Sequence, residues 1–243
     1  MNTKVSSWSR GKLLLLGSVL FLSSMFFGGQ ANAAICTWTA SSSQNISNLN
    51  NWDNGSGAAC SALSNLMQFN GTVTNTSAIF DVSTTTGPLF FTGGYTGTVT
   101  VSSSVIVTTT GDLTLNAGTL VIAANNTVNV GGNMSVSSTF NMTGGTLNLT
   151  SSSKQINVTT TFNMTGGTLN LSGDGILATG TGSMFLKDVN VTASTSFGLN
   201  STSTGNITVS GSGSLNLLDR NLSTSGNLIN NGASFSQASA GTV

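Results

Sequence analysis

The chain of 243 residues contains no histidine, and charged residues make up only 5% of it. Without histidine, even a serine-rich chain lacks the usual general base of a nucleophilic triad. All six acidic residues are aspartates, and they lie at least 14 residues apart, so no pair suggests the two-carboxylate chemistry of a glycosidase. We therefore predict that the chain is not an enzyme and that it uses no metal and no cofactor.

Proline is nearly absent as well, with Pro88 the single example. Proline removes a backbone N–H donor, so its scarcity suits continuous strand ladders. No stretch after the N-terminal region combines helical periodicity with good helix formers, which argues against long helices. After the N-terminal region, no segment has the roughly 18 consecutive apolar residues that a membrane-spanning helix needs. We predict an all-β protein without an integral membrane span in the mature chain.

Residues 1–33 have the three parts of a secretory signal peptide. Lys4, Arg10 and Lys12 form a basic start, an apolar run covers residues 13–27, and Ala31–Asn32–Ala33 is a small-residue cleavage pattern. Cleavage would leave three basic residues against six aspartates, a formal charge of −3. The signal peptide predicts export to the cell surface or the extracellular space. The remaining chain has no basic patch to hold phosphate backbones, so we expect no nucleic-acid partner.

Two cysteines remain in the mature chain, Cys36 and Cys60. Disulfides form in exported proteins, and two cysteines without histidine make a poor metal site. We predict a Cys36–Cys60 disulfide near the N-terminus of the mature chain.

A twelve-residue segment is repeated almost unchanged. Residues 139–150 read TFNMTGGTLNLT and residues 161–172 read TFNMTGGTLNLS, 22 residues later. Apolar residues alternate within each copy, as in short strands, and Gly144–Gly145 reads as a turn between two of them. A repeat of this length is typical of one coil of a solenoid. We predict a right-handed parallel β-helix with three short strands and about 19 to 22 residues per coil.

The alternation also predicts which side chains fill the coil. Asn141, Asn148 and Asn157 stand between apolar residues and should face outwards. The predicted inward ladder is Met134, Phe140, Met142, Leu147, Leu149, Ile156, Val158, Phe162, Met164, Leu169 and Leu171.

The chain divides by texture into three regions. After the signal peptide (1–33), residues 34–84 are irregular and read as an N-terminal cap, and residues 85–243 read as about seven coils. We expect Trp38 and Trp52 to plug the first coil, with stacking on sugar rings by these residues and Tyr95 as the alternative. Beyond the last coil we expect further repeats or self-association, because an open coil exposes strand edges.

Several residues resemble a known class of proteins. Cys36–Thr37–Trp38–Thr39, Asn51–Trp52 and the Ile79–Phe80–Asp81 segment, together with the repeats, resemble secreted bacterial surface proteins with β-strand repeats, of the autotransporter-passenger and filamentous-haemagglutinin type. The resemblance implies a parallel β-helix displayed at the cell surface, with an adhesive role in many relatives.

These observations favour a non-catalytic, exported structural or adhesive segment of a cell-surface fibre. Its partner would be a glycan or protein of a host or prey cell surface or matrix. A carbohydrate-active or carbohydrate-binding β-helix is one alternative. An ice-binding solenoid is the other, suggested by threonines such as Thr98, Thr100, Thr108 and Thr114.

Overall fold

The computed structural model describes residues 35–40, 45–71, 77–218 and 220–237, which form a parallel β-solenoid of about eight turns. The predicted signal peptide lies outside the described residues. One 3₁₀-helix, Leu49–Asn51, occurs near the start. No helix in the described part of the chain is long and apolar enough to cross a membrane. The predicted all-β, parallel solenoid architecture is confirmed.

The described residues contain 25 strands, which we number in chain order. They are β1 Ile35–Trp38, β2 Trp52–Asp53, β3 Leu66–Phe69, β4 Ala78–Phe80, β5 Thr84–Thr86, β6 Leu89–Phe91, β7 Thr98–Val101, β8 Ile106–Thr109, β9 Leu113–Leu115, β10 Thr119–Ile122, β11 Thr127–Val130, β12 Met134–Val136, β13 Thr139–Leu149, β14 Gln155–Val158, β15 Thr161–Leu171, β16 Ile176–Thr179, β17 Ser183–Leu186, β18 Asp188–Val191, β19 Ser194–Phe197, β20 Ser201–Ser203, β21 Ile207–Ser210, β22 Ser214–Leu217, β23 Leu222–Thr224, β24 Leu228–Asn231 and β25 Ser234–Gln237.

Each coil contributes one strand segment to each of three faces. The first face runs from β3 through β6, β9, β12, β14, β16, β19 and β22 to β25, and β1 pairs in parallel with its first strand. The second face runs from β4 through β7, β10, the first half of β13 and β15, β17 and β20 to β23. The third runs from β5 through β8, β11, the second half of β13 and β15, β18 and β21 to β24.

The coil length varies along the stack. Paired residues of consecutive coils are separated by 24 residues from Leu89 to Leu113 and by 17 from Met184 to Ser201, a wider range than the predicted 19 to 22, because the corners between strands differ in length. The stacked strands keep like residues in line, so that Phe140 lies on Phe162 and Met142 on Met164. Most interior positions are therefore stacked columns of apolar side chains, which the sheets' parallel hydrogen bonds hold in register.

In two of the coils, a single continuous strand runs through both the second and the third face. β13 and β15 each run for 11 residues, β13 across the Gly144–Gly145 pair that we predicted as a turn and β15 across the equivalent Gly166–Gly167 pair. The pairing between them shifts register between Met142 and Thr146, as in a β-bulge. The bulge bends the strand without interrupting it, so this corner of the coil is a bend in a strand.

Parallel pairing begins upstream of the predicted boundary at residue 85. β3 already pairs with β6, and β4 with β7, so the first complete coil starts at Leu66. β1 and β2, which pair antiparallel, precede it. The irregular N-terminal segment is therefore shorter than the predicted range 34–84. For this reason the stack has about eight turns, where the sequence predicted about seven.

Some interior positions hold polar side chains. Thr86, Thr109 and Ser203 are fully buried, and each hydroxyl donates to a backbone carbonyl at a corner: Thr86 to Gly87, Thr109 to Gly111, Ser203 to Lys187. In the described part of the chain every buried side-chain nitrogen or oxygen has a hydrogen-bond partner. The interior thus tolerates small hydroxyls where a corner carbonyl lies within reach.

Candidate functional site

The side chains predicted to fill the coil lie inside it. Each has 2% or less of its surface exposed; they are Met134, Phe140, Met142, Leu147, Leu149, Ile156, Val158, Phe162, Met164, Leu169 and Leu171. Asn141, Asn148 and Asn157 alternate with them and are partly exposed. Any recognition by this part of the stack must therefore use the residues on the outside of its three faces.

The two cysteines form a disulfide at the N-terminal end of the stack, which confirms the predicted pairing. Cys36 and Cys60 are bonded across a sequence separation of 24, with their Cα atoms 6.0 Å apart. Cys36 lies in β1, next to the first coil, and both residues are buried. The bridge fastens the chain between them to the start of the solenoid.

Trp38 and Trp52 lie beside this disulfide and are also buried. Their rings meet edge to face with centroids 4.9 Å apart, and both contact Phe69 of the first coil. Trp52 Nε1 donates to the carbonyl of Ile46 at 3.0 Å. Tyr95 is buried as well, and its burial raises the pKa of the phenol. These rings cover the interior column and are inaccessible to a stacking sugar, so the sugar-platform alternative does not apply to them.

The described aspartates all accept backbone N–H groups. Asp112 accepts from Asn133 at 2.7 Å and Asp188 from Asn206 at 2.8 Å, each across to the next coil. The others accept as follows: Asp53 from Gly55 and Gly57, Asp81 from Ser47, Asp174 from Ser194. No group of three or more potential metal-ligating side chains lies within the described residues. These carboxylates serve the turns and corners that connect strands.

Asp81 shows what this arrangement does to a carboxyl group. Burial raises its pKa, but hydrogen bonds from the Ser47 hydroxyl at 2.5 Å and the Ser47 amide at 3.0 Å outweigh that effect. The net pKa lies below its ordinary value of 3.8. Asp81 is therefore ionised near neutral pH and ties the segment around Ser47 to the end of β4.

A ladder of asparagine side chains runs along the outside of the third face. Asn148 Nδ2 donates to Asn129 Oδ1 at 2.8 Å, Asn170 to Asn148 at 2.8 Å, and Asn190 to Asn170 at 2.9 Å. Asn129 in turn donates to the Thr108 hydroxyl at 3.0 Å. The amides satisfy one another, so this ladder stiffens the face and leaves fewer groups for a ligand.

The second face carries an open groove of about 480 Å³. Its lining includes Thr139 and Asn141 of β13, Thr161 and Asn163 of β15, and Phe185 of β17. Phe185 pairs with Asn163, and Asn163 with Asn141, so the aromatic ring and two amides form one row across three coils. Thr161 and Thr139 form the neighbouring row. A smaller hollow of about 290 Å³ lies on the third face around Ser83, Thr84, Thr85, Ile106 and Thr108.

Phe185 was not among the predicted site residues, although the sequence contains the signal. It follows Met184, which is buried, so alternation places the phenylalanine outside. With 46% of its surface exposed, Phe185 is the aromatic member of the six large apolar side chains that are exposed among the described residues. It differs in this respect from the buried tryptophans.

Comparison with known proteins returned no matching family model, no matching curated protein and no matching solved structure.

Proposed function

We propose that the chain is a non-catalytic, exported segment of a cell-surface fibre, with a structural and adhesive role. The observation that carries the proposal is the stack of coils whose second and third faces bear rows of uncharged threonine and asparagine side chains. Such a stack is a stiff body that presents similar polar side chains on several successive coils. The aspartates support a role without catalysis, since each described one is engaged by backbone amides.

The last described coil supports assembly in series. Leu228 has 37% of its surface exposed, whereas Ile207, on which it stacks, and Val189 in the coil before are buried. Phe235 of β25 is only partly buried. Apolar surface of this kind favours contact with a further coil or a second chain. A fibre built from stacked coils would provide that contact.

Adhesion can be tested with the full chain produced in a bacterial host and attached to beads after export. We expect a mature N-terminus at Ala34 and retention of the beads on surfaces coated with extracellular-matrix or cell-surface glycoproteins, above that of beads carrying an unrelated exported protein. Unprocessed, intracellular protein would contradict export. Beads that are never retained would contradict the adhesive role, and aspartate-dependent degradation of a polysaccharide by the soluble chain would contradict the absence of catalysis.

Ice binding is a second candidate, favoured by one observation. Thr98, Thr119, Thr139 and Thr161 pair in sequence along the second face and place four hydroxyls in one row. The adjacent outward row is mixed, because Val121, Asn141, Asn163 and Phe185 occupy it. A threonine row flanked by such different side chains gives a poor match to an ordered water lattice. Thermal hysteresis of the purified chain would decide in favour of this candidate.

A further inference from the structure

We propose that the groove on the second face is a binding site for a neutral oligosaccharide, which the row Phe185, Asn163 and Asn141 recognises together with Thr161 and Thr139. The site rests on the proposed adhesive function and names the chemical class of its ligand.

The exposed phenyl ring is the first argument. Keeping an aromatic ring in water forgoes the free energy that burial would give. Among the described phenylalanines, Phe185 has the most exposed side chain, with 46% of its surface accessible. A phenyl ring that borders a groove offers a flat apolar surface. The C–H face of a sugar ring is a partner of matching shape and polarity.

The polar side chains beside the ring are the second argument. Asn163 Nδ2 lies 3.4 Å from Asn141 Oδ1, whereas the corresponding amides of the third-face ladder are 2.8 to 2.9 Å apart. The bond between Asn163 and Asn141 is therefore the weaker one, and both amides retain capacity for donors and acceptors of a ligand. The exposed hydroxyls of Thr139 and Thr161 add two groups that can both donate and accept.

Spacing gives the length of the ligand. Strands of adjacent coils lie about 4.8 Å apart, so the row from Phe185 to Asn141 spans about 10 Å along the stack. Two or three linked sugar rings, one on the phenyl group and the next on the amides, match this span. Hydroxyl groups around each ring can meet amides and hydroxyls that recur at the same interval.

The charge of the site selects among sugars. None of the side chains that line the groove is ionisable. An anionic sugar or a phosphate would lose its hydration here without gaining an Arg or Lys partner. The groove therefore favours neutral hexoses and N-acetylhexosamines over uronic acids.

The test titrates the full exported chain with neutral hexose and N-acetylhexosamine tetrasaccharides, with a hexuronate tetrasaccharide for comparison, using calorimetry. We expect binding of a neutral tetrasaccharide, at least tenfold weaker binding after Phe185→Ala, and retained binding after Phe185→Trp. Asn163→Ala should weaken binding as well. Ile106→Ala is the matched control, because Ile106 is 49% exposed beside the hollow on the third face.

Absence of binding to every neutral tetrasaccharide, preference for the hexuronate, or equal affinity of wild type and Phe185→Ala would overturn the site. If Phe185→Ala fails to fold, Asn163→Ala decides in its place, and an affinity of that variant equal to that of the wild type would overturn the site. The bead assay separates this failure from that of the adhesive function. Beads whose retention is unchanged by Phe185→Ala would leave adhesion standing and assign it to another surface.

Discussion

Phe140 and Phe162 stack on each other inside neighbouring coils, with ring centroids 4.4 Å apart and the ring planes 22° from parallel. Each ring is fixed between a coil above and a coil below, and the backbones of those coils are held in place by ladder hydrogen bonds. A cavity at this position can collapse only slightly. The same chain offers a comparison one residue away, because Asn141 faces outwards and is partly exposed.

We predict that Phe162→Ala lowers the free energy of unfolding by about 3 to 5 kcal/mol, through lost burial and an unfilled cavity. Asn141→Ala should cost about 1 kcal/mol or less, since it removes one weak hydrogen bond at the surface. Urea denaturation of the two variants measures the difference. Equal losses would mean that the alternation of inward and outward side chains is misassigned.

Alternation was sufficient to place most interior residues, and it failed where interior residues are small and polar. β20 reads Ser201–Thr202–Ser203, and both of its serines are buried. Their hydroxyls bond to backbone carbonyls, so burial at a corner replaces the apolar signal that sequence patterns rely on. For Phe185, by contrast, alternation holds, because this aromatic residue lies between the buried Met184 and Leu186 and therefore faces outwards.

The joined strands β13 and β15 show the limit of prediction at the level of elements. A glycine pair is a strong turn signal, and here the strand continues through it with a bulge. The reason lies in the neighbouring coil. A Cβ atom on Gly145 would lie 2.6 Å from the carbonyl oxygens of Ala123 and Asn126, and its φ is +72°. Close approach between coils requires the glycine, and that approach cannot be read from local sequence.

We predict that Gly145→Ala is more destabilising than Gly94→Ala. Both glycines have positive φ, +72° and +81°, but a Cβ on Gly94 would meet no atom within 4 Å. Gly94→Ala should cost about 1 to 2 kcal/mol for the backbone conformation alone. Gly145→Ala adds the clash with the preceding coil, about 1 to 3 kcal/mol more. Denaturant midpoints compare the two, and a Gly94→Ala variant as unstable as Gly145→Ala would argue against close packing at this corner.

In the whole molecule, each coil contacts mainly the coils before and after it. The stability of such a stack is approximately a sum over coils and their interfaces, so a change at one end should act locally. The N-terminal end is held by the Cys36–Cys60 bridge and by the packing of Trp38 and Trp52 on Phe69. β1 pairs with β3, so this end segment continues the first face of the solenoid.

We predict that replacing both cysteines by alanine destabilises this end by about 3 kcal/mol, because the unfolded chain regains the entropy of the closed loop. Hydrogen exchange should become faster in β1 to β5 and remain unchanged in β13 and β15, several coils away. Ser61→Ala, an exposed change next to the bridge, should leave both regions unaffected. A uniform increase in exchange along the whole chain would instead mean that the coils unfold as one cooperative unit, with the disulfide stabilising all of them.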